Sequence, residues 1–138
     1  MKNPVPGGIK KISVEKAILL AFLAALFIKI FILDFVVAEG YSMQPAIQPG
    51  RILLVCRVFY GLRLPGAETY AVQWRTPRPG DVVVFRTPAG EIAVKRLAES
   101  LPGGMFFALG DNTLHSYDSR NYGPVPKYNI IGRVLGVR

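Results

Sequence analysis

The chain has 138 residues, of which 51% are apolar and 19% charged, with a net charge of +8. That length holds one domain of ordinary size, and this balance of apolar and charged residues excludes a disordered chain. A single cysteine, Cys56, excludes an internal disulfide. One cysteine and one histidine also leave too few ligands for a zinc site.

The basic excess divides along the chain. Lys2, Lys10, Lys11 and Lys16 precede a greasy run, whereas all ten arginines lie beyond residue 50 and are scattered. There is no basic stripe interleaved with stacking aromatics and no nucleic-acid motif, so nucleic acid is not an expected partner. An anionic membrane surface fits the charge better.

Ala17 to Ala38 is a run of 22 residues interrupted only by Lys29 and Asp34. At ~1.5 Å per residue a helix of that length reaches ~33 Å, against a bilayer core of ~30 Å. The uninterrupted part ends at Ile28, so the helix is expected to stop near Lys29 or Phe31. Ile30 to Val37, rich in Phe, Ile and Val, then reads as an opening strand. The sequence divides into a basic N-terminus over 1–15, a transmembrane anchor over 16–38 whose end is a candidate strand, and a β domain over 39–138. Lysines ahead of the span keep the N-terminus cytoplasmic and put the domain outside, as a single-pass protein. A cleaved secretory signal is the competing reading, with Val36-Val37-Ala38 at a plausible cleavage site. The length of the run and its two charges favour an uncleaved anchor.

Beyond residue 39, short apolar runs alternate with Gly and Pro punctuation. Strands are expected at Ile52–Val55, Val82–Phe85, Ile92–Leu97, Met105–Leu109 and Ile130–Val137. Breaks are expected at Pro49-Gly50, Pro65-Gly66, Pro79-Gly80, Pro88-Ala89-Gly90 and Pro102-Gly103-Gly104. That rhythm predicts a mainly β, compact β-barrel-like or Greek-key domain. Cys56 follows Leu53, Leu54 and Val55 and reads as a core thiol. Val58 to Trp74 is the least regular stretch; its aromatics supply either core or an apolar surface resting on a bilayer.

Three stretches carry candidate chemistry. In "EGYSMQP", Ser42 stands between Gly40, which permits close backbone approach, and Pro45, which stiffens the turn. A serine of this kind needs a base within hydrogen-bond reach to become a nucleophile. In "EIAVKRL", strand alternation puts Ala93, Lys95 and Leu97 on one face. Burial there lowers the lysine pKa, and Arg96 adds to the effect if unpaired. A neutral Lys95 would accept the Ser42 proton; the competing reading is a snorkelling surface lysine. In "GDNTLHSYDSRNYGPVP", Asp118 and Arg120 are placed to pair, and Ser116 and Ser119 to orient an amine. His115 offers a Ser-His-Asp alternative, set against an ordinary solvated histidine.

Together, in this order behind an apolar segment, the stretches resemble bacterial-type signal peptidase I, a membrane-anchored Ser-Lys protease. "GYSMQP" resembles its nucleophile box, "GDVVVF" followed by "VKRL" the strands leading to the lysine, and "GDNTLHSYDSRNYGPVP" its most specific box. The resemblance spans about residues 16 to 133. It implies that Ser42 is the catalytic nucleophile and Lys95 the general base, with the Ser42 N–H in the oxyanion hole. It implies that Ser116 hydrogen-bonds the lysine, and that Asp111, Asp118, Arg120 and Arg96 hold the site by ion pairs. The implied partners are preprotein signal peptides with small residues before the cut, and membrane lipid; no metal or cofactor is implied. The implied location is the cytoplasmic membrane, with the catalytic domain on its outer side.

The chain departs from the family pattern in places. Position 40 is Gly where some members carry a serine that adds a second oxyanion donor. Ala46-Ile47 replaces Thr-Leu. The gap from Leu97 to Gly110 is short, where many members insert a second β subdomain. Rival readings are a self-cleaving repressor of the LexA type, a specialised peptidase of the conjugative-pilus maturation type, and a membrane-anchored scaffold without catalysis.

Overall fold

The computed structural model describes residues 13–64, 67 and 69–137. The basic stretch over 1–12 and the expected break at Pro65-Gly66 lie outside the described residues. Helix α1 (Val14–Phe27) is built from Ala, Leu and other good helix formers. It passes into a π-helical turn, Ile28–Ile32, closed by the Leu33 N–H donating to the Ile28 carbonyl. There the composition changes to β-branched and aromatic residues, and the chain extends as β1 (Leu33–Val37). No side chain of α1 is buried. No helix among the described residues is long and apolar enough to cross a membrane. The apolar run over 16–38 is a helix, a π turn and a strand, in line with the expected helix stop near Lys29 or Phe31 and the strand expected within Ile30–Val37; Leu33–Val37 pairs with β2 along its whole length.

The remaining strands are β2 (Ile52–Cys56), β3 (Gly61–Leu62), β4 (Val72–Gln73), β5 (Val82–Arg86), β6 (Ile92–Leu101), β7 (Met105–Leu109), β8 (Val125–Pro126) and β9 (Ile130–Val134). Seven of them form one antiparallel sheet in the order β1-β2-β9-β5-β6-β7-β8, while β3 and β4 pair separately. The sheet is curled into a half-barrel. It is open, with β1 and β8 as its edges, which agrees with the expected mainly β, barrel-like domain. Bulges between Val84 and Phe85 and between Leu97 and Glu99 fall in the middle of the sheet, where an extra residue sharpens strand curvature.

Strand β6 runs four residues beyond the expected Leu97 and forms a hairpin with β7 through a tight turn at Pro102–Gly104. Strand β9 stops at Val134 rather than Val137, because the chain bends off the ladder at Leu135–Gly136.

Strand β5 explains the core. Val82, Val83, Val84 and Phe85 are all buried, the continuous apolar signature of a strand covered on both faces. Val82 and Val84 point into one cluster with Ala38, Met43, Ile47, Leu53, Val55 and Val134. Val83 and Phe85 point into another with Tyr60, Leu97, Phe106, Ala108, Val125 and Ile130. Tyr60 is fully buried, and its hydroxyl donates to Asp81 at 2.9 Å. The 58–74 stretch thus divides its residues: Phe59, Tyr60 and Tyr70 join the core, while Leu62, Leu64, Val72 and Trp74 remain exposed. Cys56 is only half-buried, at the end of β2, rather than a fully buried core thiol.

Candidate active site

Ser42 is held by its neighbours on both sides. Met43 and Ile47 bury their side chains in the first core cluster, and the Ile47 N–H donates to the Met43 carbonyl at 2.8 Å. That fixes the turn on which Ser42 stands. The Ser42 carbonyl in turn accepts from the Asn112 N–H at 2.9 Å, tying the turn to the loop after β7. Gly40, two residues earlier, is exposed and has φ +75°, a left-handed conformation that a side chain would strain.

Lys95 comes from the middle of β6, directly across from Val83 of β5. Residues opposite each other in an antiparallel pair share a face, so Lys95 lies on the side of the second core cluster, with Leu97 buried beside it. The expected alternation of Ala93, Lys95 and Leu97 holds. The lysine is 5% exposed, and its Nζ lies 2.7 Å from Ser42 Oγ. Burial pushes the Lys95 ammonium below its ordinary pKa of 10.5, while the Asp118 carboxylate pulls in the opposite direction.

Asp118 is fully buried and organises the polar loop. As N-cap of the short helix α2 (Ser119–Tyr122) it accepts from the Arg120 N–H, and its own N–H donates to Asn121 Oδ1 at 3.0 Å, a capping box. Arg120 grips both carboxylate oxygens at 2.9 and 2.8 Å. The Gly110 N–H at 2.9 Å and the Ser116 hydroxyl at 2.6 Å also donate to Oδ2. Burial alone would raise the Asp118 pKa. The bonds from Arg120, Gly110 and Ser116 outweigh it and hold the carboxyl well below the usual carboxylate range.

Several expectations change here. The Ser116 hydroxyl donates to Asp118 at 2.6 Å, so any bond between this serine and the lysine has the serine oxygen as acceptor. Ser119 is buried and its hydroxyl accepts from the Ala108 N–H at 3.0 Å, which makes it a brace between loop and β7. Arg96 is paired with Asp111 by two bonds of 2.8 Å and also donates to the Gly80 carbonyl at 3.0 Å. Its charge is thus compensated by Asp111. His115 is exposed, its Nδ1 3.4 Å from Asn112 Oδ1. Gly110, Asn112 and Asn121 lie in the third stretch but carry no individual role from the sequence. The spacing Asp118-x-x-Asn121 is a cap signal that would have found the last of them.

A hydroxyl within hydrogen-bond reach of a buried amine has the components of acyl transfer: a nucleophile and a base that need no third residue. Among the described residues no group of His, Cys, Asp and Glu is placed to hold a metal ion. The single curled antiparallel sheet defines a mainly β architecture. The chain belongs to the signal peptidase family, peptidase S26, which it matches over residues 11–103 and 93–137. It is 33% identical to the mitochondrial ATP-independent inner membrane protease subunit 1b of Arabidopsis thaliana, over 71% of this chain and 65% of that protein. It thus spans just under two thirds of the plant protein's length. It is 31% identical to signal peptidase I of Pseudomonas aeruginosa, over 99% of this chain and 78% of that protein. It is 28% identical to signal peptidase I T of Bacillus subtilis, over 85% of this chain and 79% of that protein.

Proposed function

We propose that the protein is a serine endopeptidase that removes signal peptides from exported preproteins, with Ser42 as nucleophile and Lys95 as general base. The observation that carries this reading is the 2.7 Å approach of Lys95 Nζ to Ser42 Oγ at a buried lysine. Desolvation favours the neutral amine. The neutral amine accepts the hydroxyl proton as Ser42 Oγ attacks the carbonyl carbon of the scissile bond. The resulting oxyanion is stabilised by the Ser42 N–H. Lys95 then returns the proton to the departing amine, and an acyl-enzyme on Ser42 remains. Water attacks this ester with Lys95 taking its proton; the tetrahedral intermediate collapses, the signal peptide leaves with a new carboxyl terminus, and Lys95 returns the proton to Ser42 Oγ.

Asp118, held by Ser116 and Arg120, acts on the lysine through its charge, and Arg96 with Asp111 holds the start of the loop that the Asn112 N–H ties to Ser42. A Gly at position 40 brings no hydroxyl to the oxyanion, so the main chain carries that role alone.

The substrate emerges from a membrane, and the exposed apolar side chains of α1 fit the same place. Phe22 is 64% and Ile18 65% exposed, a cost that lipid contact removes. The apolar segment anchors the chain in the cytoplasmic membrane, with the N-terminus inside and the β domain on the outer surface. The exposed Leu62, Leu64, Val72 and Trp74 let the domain rest on the lipid.

The test is incubation of the detergent-solubilised protein with a preprotein, followed by N-terminal sequencing of the product. A cut after a small residue at the end of the signal sequence supports the reading. An intact preprotein, or equal cutting by Ser42→Ala, overturns it.

A further inference from the structure

Where the π turn meets β1, a cleft of about 640 Å³ opens on the side of the domain, within the range of small-molecule sites. Its lining is unusual in charge. Among the described residues, Lys29, Arg57, Arg63 and Arg86 line it against one carboxylate, Asp34. That carboxylate is already used: Oδ2 accepts from Arg57 at 3.2 Å and Oδ1 from the Phe35 N–H at 2.9 Å. Arg63 is braced by the carbonyls of Ala67 and Ile130, and Arg86 by that of Gly90. A carbonyl fixes a guanidinium but carries no net charge to neutralise it. Three cations of the lining therefore have no carboxylate among the described lining residues. Tyr128 and Asn129 add polar groups at the same wall, and Phe31 and Leu64 add apolar ones.

We propose that this cleft binds a phosphate group, carried by the headgroup of an anionic lipid whose chains lie along Phe31 and Leu64. Guanidinium groups held in place suit the tetrahedral oxygens of a phosphate, since planar donors bond them in pairs. The placement suits a lipid, because the cleft begins one turn beyond the exposed apolar helix. The phosphate site stands on the lining alone; only its lipid source rests on the membrane location proposed above. The bound phosphate would clamp α1 against the domain and set the height of Ser42 over the lipid.

The test uses the full chain in dodecyl maltoside, titrated calorimetrically with short-chain phosphatidylglycerol, short-chain phosphatidylcholine and inorganic phosphate. Saturable phosphatidylglycerol binding is expected. It should weaken about tenfold or more in Lys29→Gln and Arg86→Gln, which remove charge-assisted bonds. It should stay unchanged in Arg51→Gln, which removes an exposed charge outside the cleft. Far-ultraviolet circular dichroism checks that each variant is folded. Binding of inorganic phosphate as tight as that of phosphatidylglycerol keeps the phosphate site and reassigns its source to a soluble anion. Equal affinity for phosphatidylcholine, equal weakening in Arg51→Gln, or no saturable binding of any probe overturns the proposal. No substrate is present, so the outcome is independent of whether Ser42 cleaves preproteins.

Discussion

Gly110 and Ser42 approach so closely that position 110 has no room for a β-carbon: one placed there would stand 2.6 Å from the Ser42 carbonyl oxygen and collide with the Ser116 side chain. Both contacts belong to the candidate site. The Gly110 N–H at the same time donates to Asp118. Gly110→Ala should therefore destabilise the fold by about 1–3 kcal/mol through overpacking. It should also lower proteolysis by more than that loss of folded protein accounts for. Thermal unfolding alongside turnover of a preprotein checks it; an alanine variant with unchanged activity would show that Ser42 tolerates displacement.

Under the proposed mechanism, Ser42→Ala and Lys95→Met should each reduce cleavage by roughly 10⁴-fold or more, as loss of a nucleophile or its base does in serine proteases. Methionine keeps the volume of the buried stem without the amine. Both variants should retain the circular dichroism of the parent. Residual cleavage within tenfold of the parent for Lys95→Met would mean that another group takes the proton.

The pH dependence follows from the direction of the Lys95 shift. The folded lysine titrates below 10.5 because it is buried. With Lys95 as the proposed base, activity requires the neutral amine, so kcat/KM should rise with pH to a plateau reached below 10.5. Asp118 holds the ammonium on, so Asp118→Asn should move the rising limb to lower pH, provided the variant is folded. Stability follows the same protons. Between the folded pKa and 10.5 the unfolded chain binds more protons than the folded one, so stability climbs with pH across that window. The climb should flatten in Lys95→Met, read by denaturant unfolding at a series of pH values.

His115→Ala should keep most of the activity. The ring is exposed and its nearest polar partner, Asn112, is at 3.4 Å. A large loss of kcat at unchanged melting temperature would reinstate a histidine as base.

The local geometry of the candidate site was more legible in the sequence than the frame that holds it. Lys95 between Ala93 and Leu97 is a local signal, because strand alternation alone puts three such residues on one face. Asp118 and Arg120 are two residues apart and pair within one turn. The distant relationships left no such trace. The partner of Tyr60 is Asp81, 21 residues along the chain, and no spacing rule announces it. The strands β3, β4 and β8 are two residues each, too short for a hydrophobic period to register. The Ser116 hydroxyl donates to the buried Asp118 carboxylate, a partner that the folded loop decides and no spacing rule announces. Asp34, read as an interruption of an anchor, pairs with Arg57 and opens the strand that begins the domain.

The β6–β7 hairpin has a practical consequence. Its tip at Pro102–Gly104 lies about 20 Å from Lys95 along the strand, at ~3.3 Å per residue. The ladder from Arg96↔Leu109 to Leu101↔Met105 stands between the two. A folded reporter, or an entire extra module, spliced into that tip would hang clear of the serine. Architectural growth of the enzyme thus has a port where added chain leaves the chemistry untouched.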